Sequence, residues 1–443
     1  MSEINRKQLC FYFLSIAPSV FFLVGIFVPK GSVILLALAG IIVVLCTKKT
    51  DWGNLFKLNV TWKTIVLFIF FSAVSALWSL TPANTLYKVL PLVAMGLLAL
   101  IVVNFSMSLI DDELEALKKG IIFGGFLGFI LLGIELTGDA LISHFLRTSF
   151  SAFSINTYEM FHIKKTLNGG VTVASLFFWP WLFVVWEKFK YYISIPIITC
   201  SALVILLGAN DAPFFAVTGG LLTSAIIGLL PKLGRRVLTI FILIAIFVAP
   251  LAPKYLFSIA DSDKGEFVTP STFITFDRGI IPIPNAWYHR LTVWKVTSER
   301  IKQKPFLGYG YDTSRALYKK GDEIRHQRYD KSGNLIVGII SEPIPLHPHN
   351  VVLQIWLELG IAGAIFLAAL LFFLIKSVFG ENLNKRDRFA GVGILVTIFS
   401  INLISYGAWQ NWWLGSQIIV IFIFNCLVFN RTKKLFTNNS IPH

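Results

Sequence analysis

Apolar runs broken by short polar or basic turns recur along almost the whole chain. An α-helix rises 1.5 Å per residue, so roughly 17–25 apolar residues cross the hydrocarbon core of a bilayer. Runs at 9–28, 31–46, 62–80, 86–107, 120–137, 167–186, 191–209, 212–230, 237–253, 360–378, 389–408 and 414–430 predict twelve spanning helices, the second unusually short. Two longer polar segments, 138–166 and 254–359, interrupt them. The expected fold is all-α: a polytopic membrane protein of about twelve transmembrane helices, with a large extracytoplasmic loop that contains amphipathic helices. The pattern divides the chain into a nine-span membrane domain at 1–253, the loop at 254–359, and a three-span membrane domain with a cytoplasmic tail at 360–443.

Composition agrees with the pattern. Of 443 residues, 55% are hydrophobic and only 14% charged, more apolar surface than a soluble chain can hide. The net charge of +15 would suggest nucleic acid in a soluble protein, but no base-reading motif is present. In a membrane protein basic residues gather on cytoplasmic loops. With the N-terminus inside, the inner turns hold Arg6/Lys7, Lys48/Lys49/Lys57, Lys118/Lys119, Lys188/Lys190, Lys232/Arg235/Arg236, Lys385/Arg386/Arg388 and Arg431/Lys433/Lys434. The short outer turns hold Lys30 and little else that is basic, so both termini are expected in the cytoplasm. The first apolar run is too long for a signal-peptide core and no small-residue cleavage site follows it, which predicts an uncleaved first span. Cys10, Cys46, Cys200 and Cys426 are widely spaced within apolar stretches and fit core residues, neither disulfides nor a metal site. Of the seven histidines, His144, His162, His289, His326, His347 and His349 fall in the two outer segments, so chemistry is expected on the extracytoplasmic face.

Within the large loop, 254–285 is rich in Pro, Gly, Ser, Thr and Asp and reads as irregular. Residues 285–303 read as an amphipathic helix with Trp287, Leu291, Trp294 and Ile301 on one face, suited to lie on the membrane with Trp among the headgroups. Arg290, one turn before Trp294, has the reach to project inward. Pro305 ends that helix, and Phe306-Leu307-Gly308-Tyr309-Gly310-Tyr311 reads as a tight turn leading to Asp312, Ser314 and Arg315. Residues 319–333 read as a solvated excursion without chemistry. Pro343, Pro345 and Pro348 then deliver the chain into a helix starting at about His349. On it His349, Leu353 and Trp356 would share one face, and Asn350, Gln354 and Glu358 the neighbouring stripe. A helix N-terminus favours phosphate and disfavours imidazolium, which would leave His349 neutral and able to accept a proton. Two imidazoles, two amides and a carboxylate at the mouth of an apolar span read as a reaction site rather than packing.

Two other classes can be weighed on residues alone. A transporter would place charge and broken helices at mid-membrane, whereas Glu135, Glu187 and Asp211 sit near the ends of their runs. Asp261-Ser262-Asp263 matches an Asp-x-Asp pattern that binds divalent metal in nucleotide-sugar transferases, but it lies in an irregular polar loop, and such triplets are common by chance.

In order and spacing, His289-Arg290-Leu291 with Trp294, the Pro305–Gly310 turn with Asp312, Ser314 and Arg315, and His347-Pro348-His349-Asn350-x3-Gln354-x-Trp356-x-Glu358-Leu359-Gly360 resemble the O-antigen ligase/polymerase superfamily. Leu167-Asn168-Gly169-Gly170 ahead of Trp179-Pro180, and Trp409-Gln410-x-Trp412-Trp413, resemble one branch of its ligases. The resemblance implies a GT-C-like, inverting, metal-independent glycosyltransferase without cofactor. Its donor would be a glycan on polyprenyl diphosphate and its acceptor, for a ligase, a sugar of the lipid A-core. It also implies a multi-pass protein of the bacterial inner membrane with its active site facing the periplasm. O-antigen polymerases and O-linked protein oligosaccharyltransferases share the donor chemistry and stay open as alternatives. The family's general base is carried onto His349 and its diphosphate-binding arginine onto Arg290, with His289, His347, Asn350 and Gln354 as substrate contacts. One departure stands out. Related ligases tend to have arginine in an Asn-Arg-Gly motif where this chain has Gly169, and none occurs in Asn210-Asp211-Ala212. Further diphosphate contacts are then expected from Lys164, Lys165, Arg278 or Arg315. The chemistry is consistent: diphosphate is a good leaving group, so cations to hold it and a base for the attacking hydroxyl suffice.

Overall fold

The computed structural model describes the chain apart from residues 1–2, 151–156, 209–210, 230, 261–272, 275–284, 318–323, 330–334, 342–343, 345 and 439–443. The chain opens with α1 (Glu3–Phe27), α2 (Ser32–Cys46), a single turn α3 (Trp52–Leu55), α4 (Val60–Val74), α5 (Pro82–Phe105) and α6 (Asp111–Thr137). Then come α7 (Leu141–Phe150), α8 (Thr157–Lys188), α9 (Tyr191–Leu206), α10 (Asp211–Leu229), α11 (Pro231–Val248), α12 (Ala252–Ala260) and α13 (Asn285–Gln303). The chain closes with α14 (Val351–Val378), α15 (Lys385–Ile404) and α16 (Asn411–Asn438). Each of the twelve expected spans falls on one of these helices. Among the described residues, nine are long and apolar enough to cross a membrane. The three expected spans outside that set are the 16-residue α9, the apolar part of α10, and α11, whose first turns carry Lys232, Arg235 and Arg236. The chain is an all-α polytopic membrane protein.

Side chains at the helix ends explain several boundaries. Asn59 caps α4 by accepting the Trp62 N–H, and Asn384 with Asp387 forms a reciprocal box at the start of α15. Asp111, Asp112 and Glu113 place three carboxylates in the first turn of α6, where the helix dipole favours them. Large apolar residues such as Ile34, Phe70, Leu90 and Phe123 remain more than 60% exposed, the sign of a surface meant for lipid. The main core joins α1, α2, α6, α8 and α16 around fully buried Trp179, Trp181 and Phe177. Trp179 finds its hydrogen-bond partner in Thr397 on α15, 2.8 Å away. At one end of the bundle Lys118 bridges Glu115 and Glu187, and Arg386 approaches Glu187, so α6, α8 and α15 share one charge network.

The loop between α11 and α14 differs from its expected form in three ways. Residues 252–260, expected to be irregular from 254 onward, form the helix α12, because Tyr255, Leu256 and Phe257 continue an apolar pattern before the polar residues begin. A small sheet follows: β1 (Phe273–Ile274) runs parallel to β2 (Ile324–Tyr329), which pairs antiparallel with β3 (Leu335–Ser341). The charged stretch is thus partly a hairpin rather than an open excursion. Third, the apolar face of α13 is not laid on lipid. Leu291, Trp294 and Ile301 are buried against Val352, Leu353 and Trp356 of α14, and Trp294 donates its indole N–H to the Pro348 carbonyl at 2.9 Å. Packing against α14 satisfies both the apolar face and the indole N–H, which a lipid-facing Trp could do only at the headgroups.

Near its start, α14 is interrupted. Gly360 adopts φ 63°, ψ −159°, and the carbonyls of Leu357 and Glu358, released from the helix, accept the N–H groups of Tyr309 and Gly310 at 3.0 and 2.8 Å. In return Ile361 N–H reaches the Pro305 carbonyl at 2.8 Å. Gly308 sits opposite with φ 66°, and a β-carbon on either glycine would lie 2.3–2.4 Å from the other strand's backbone. The two glycines are required together: positive φ is open to them and the backbones can touch. The same turn is stitched to the α4–α5 hairpin, through Leu80 N–H to Tyr309 O, Trp78 indole to Leu307 O, and Thr85 hydroxyl to Tyr311 O.

Candidate active site

The helix carrying the histidine motif starts two residues later than expected. Asn350, extended at φ −154°, is the N-cap and accepts the Leu353 N–H at 2.9 Å, so α14 begins at Val351. His349 precedes the cap, at φ 54°, and therefore does not share a helix face with Leu353 and Trp356. A left-handed conformation in a non-glycine residue costs energy and has to be held by its surroundings. The His349 N–H donates to His347 Nδ1 at 3.1 Å, and the two rings pack at 4.4 Å between centroids.

These contacts define the tautomers. His349 Nδ1 lies 2.8 Å from the Ser405 carbonyl, which can only accept, so Nδ1 carries the proton and Nε2 of the neutral ring is the basic nitrogen. In His347, Nδ1 accepts from His349, so the neutral ring is protonated at Nε2. The Gln410 amide nitrogen is placed 2.8 Å from that nitrogen, so this tautomer requires the carboxamide with its O and N exchanged, its oxygen accepting from His347 Nε2. Burial pushes His347 down to about 3, with Arg315 and the neighbouring His349 ring acting in the same direction. His347 is thus a neutral relay of hydrogen bonds that orients His349.

The stripe expected along the helix is present, and its two inner members are internal. Gln354, 2% exposed, donates from Nε2 to Glu358 at 3.0 Å and accepts the Ala408 N–H at 2.8 Å. Glu358 is fully buried, and its two oxygens collect five donors: Gln354, the Trp409 indole, the Asp312 and Ser314 N–H groups and the Ser314 hydroxyl. With Asn350 occupied as the cap, Asn350 and Gln354 hold the site together through these bonds. Glu358 ties the Gly308–Asp312 turn to the α15–α16 loop, and Asp312 is held there at φ 56°.

Arg290 projects from α13 into partial burial, which lowers its pKa, while the charges of Asp211 and Tyr406 favour its charged form. The Tyr406 hydroxyl bonds Thr172 of α8 at 2.9 Å, and burial pushes its pKa up to about 12. Arg290 is thus grouped with α8, α10 and the α15–α16 loop. Arg315 is exposed and acts on Asp312 and His347 instead, so these two cations address different groups. Lys164 and Lys165 belong to α8 and His289 to α13, with side chains outside the described residues; Arg278 and Asp261–Asp263 lie wholly outside them. At Gly169 a β-carbon would start 2.8 Å from Pro29, so α8 packs there against the turn after α1 with no room for a longer side chain.

Residues 405–410 were missed as part of the site by sequence reasoning. Ser405 orients His349, Gly407 lies so close to His347 that a β-carbon would meet its ring at 2.7 Å, and Ala408, Trp409 and Gln410 bond Gln354, Glu358 and His347. The available signal was a polar and aromatic cluster between two apolar runs. Lys88 was missed too: it lies in an apolar run, yet with Asp312, Arg315, His347 and Gln410 it lines a cleft of about 130 Å³.

Residues 196–368 match the family model described as O-antigen ligase. Over 377 residues the chain is 26% identical to a candidate polysaccharide ligase of Rickettsia bellii, spanning 84% of this chain and 81% of that protein. Similarly named proteins of Rickettsia typhi and Rickettsia felis are each 24% identical, over 369 and 374 residues. Those matches cover 83% and 84% of this chain, and 80% and 82% of the relatives. The family match takes in Arg290, His347 and His349 but stops short of the α15–α16 loop that orients the histidines.

Proposed function

We propose, from an O-antigen ligase domain at residues 196–368 and the geometry of His349, that this chain is an inverting membrane glycosyltransferase. It moves a glycan from polyprenyl diphosphate to a sugar hydroxyl of a lipid A-core. The observation that carries the reading is the Nδ1–H bond of His349 to the Ser405 carbonyl, which leaves Nε2 as the basic nitrogen. In this mechanism Nε2 removes the proton from the acceptor hydroxyl as its oxygen attacks the anomeric carbon. The bond from that carbon to the diphosphate oxygen breaks, its electron pair leaves with the diphosphate, and configuration inverts. Arg290 holds the departing charge with a planar fork that matches phosphate oxygens, so the step requires no metal. The basic residues around Lys232, Arg386 and Arg431 support an orientation with this site on the periplasmic side of a bacterial inner membrane.

A deletion strain complemented with wild type or His349→Ala tests the reading. Wild type should restore polymer on the lipid A-core, and His349→Ala should leave long chains on the lipid carrier, with transfer reduced by a factor on the order of 10²–10⁴. Cores capped with a single repeat in the deletion strain would identify a polymerase instead, and loss of glycan from a protein an oligosaccharyltransferase.

A further inference from the structure

A second polar surface adjoins the histidine pair without including His349 or Arg290. It is the cleft between the first turns of α5 and the α15–α16 loop, lined by Lys88, Asp312, Arg315, His347, Trp409 and Gln410. Its walls are built rather than incidental. The Thr85 hydroxyl fixes the Tyr311 carbonyl at 2.8 Å, Glu358 fixes Asp312, and Asp312 is held at positive φ. The lining carries two cations and one carboxylate. Neither Lys88 nor Arg315 has an ion-pair partner within 4 Å among the described residues. Both act on Asp312 from a distance, opposing the rise that burial imposes on its pKa.

Two cations against one carboxylate give the lining a net positive charge, and the same lining includes His347, the ring that packs on His349. In an inverting transfer the base and the leaving group stand on opposite faces of the sugar. Cations adjoining the partner of the base therefore belong to the acceptor's side.

Resting on the glycosyltransferase reading above, we propose that Lys88 and Arg315 form an acceptor subsite that binds an anionic substituent, phosphate or carboxylate, on the acceptor glycan. Asp312, held by Glu358, is the one carboxylate in it. The subsite selects acceptors carrying such a charge close to the hydroxyl that is glycosylated.

The test is equilibrium binding of rough lipopolysaccharide to the full chain in detergent, which requires no turnover. Three probes are compared: untreated, dephosphorylated with hydrogen fluoride, and carboxyl-reduced. Wild type should bind the untreated probe roughly tenfold more tightly than the one lacking the recognised charge, the scale of one lost charge-assisted hydrogen bond. Whichever treatment weakens binding identifies phosphate or carboxylate. Lys88→Gln and Arg315→Gln should erase that preference, and Lys88→Arg should restore it. Equal binding of all three probes by wild type, or a preference that survives both glutamine variants, overturns the subsite. A KM change confined to the lipid-linked donor in Lys88→Gln would also overturn it, by reassigning the cleft to the diphosphate. Absence of transfer in wild type that still shows the charge preference would sink the enzymatic reading and leave the anion site standing.

Discussion

Replacing Gly360 by alanine tests the central structural claim, that the reaction site is registered by a helix break paired with the Pro305–Gly310 turn. Three costs add. The backbone at φ 63°, ψ −159° is essentially restricted to glycine, and an L-residue there costs about 1–3 kcal/mol. The new β-carbon would lie 2.3 Å from the Phe306 backbone, against 3.4 Å for ordinary contact, so the turn must retreat by about 1 Å. That retreat breaks the bonds from Tyr309 to Leu357, Gly310 to Glu358 and Ile361 to Pro305, each worth about 1 kcal/mol net. The sum is roughly 4–6 kcal/mol. With unfolding entropy scaling with chain length, this corresponds to a fall in Tm of roughly 4–6 °C. Thermal unfolding of purified protein in detergent reads it, and glycan transfer at matched protein level should fall as Glu358 and Asp312 lose their register. Gly219→Ala is the control: nothing lies within 4 Å of a β-carbon there, and alanine in a helix is neutral to slightly stabilising. If Gly360→Ala melts and transfers like Gly219→Ala, the paired break is not what holds the site.

Two further predictions concern individual groups. Because His347 is neutral in the folded protein down to about pH 3 but titrates near 6.5 when unfolded, the unfolded chain binds the extra proton between those values. Stability should therefore be intact above pH 6.5 and decline on acidification toward pH 3, by at most about 1.4 kcal/mol per pH unit; His347→Gln should flatten that slope in denaturant titrations, and an unchanged slope refutes the buried neutral state. Arg290→Ala should abolish transfer and Arg290→Lys recover little, because lysine lacks the bidentate fork; wild-type activity in Arg290→Ala would reduce α13 to a packing helix.

The sequence alone determined the membrane-spanning helices and where polar chemistry collects. Apolar runs long enough to cross a bilayer placed twelve helices, because hydrocarbon permits little else, and the Pro305–Gly310 and His347–Gly360 blocks marked where polar groups collect. Their partners were decided by tertiary structure. Periodicity put His349 on a helix face, but the Asn350 cap turned it out of the helix, and only the packed Ser405 carbonyl fixed which of its nitrogens is basic. Glu358 looked like one more polar residue of a stripe until five donors from three separate segments converged on it. Lys88 read as an isolated charge in an apolar run, and only folding brought it beside Arg315, 227 positions away in the chain. Helix formation and membrane partition depend on neighbours in sequence, so they are legible there. Hydrogen-bond partners, tautomers and shared clefts depend on which distant segments meet, which packing alone decides.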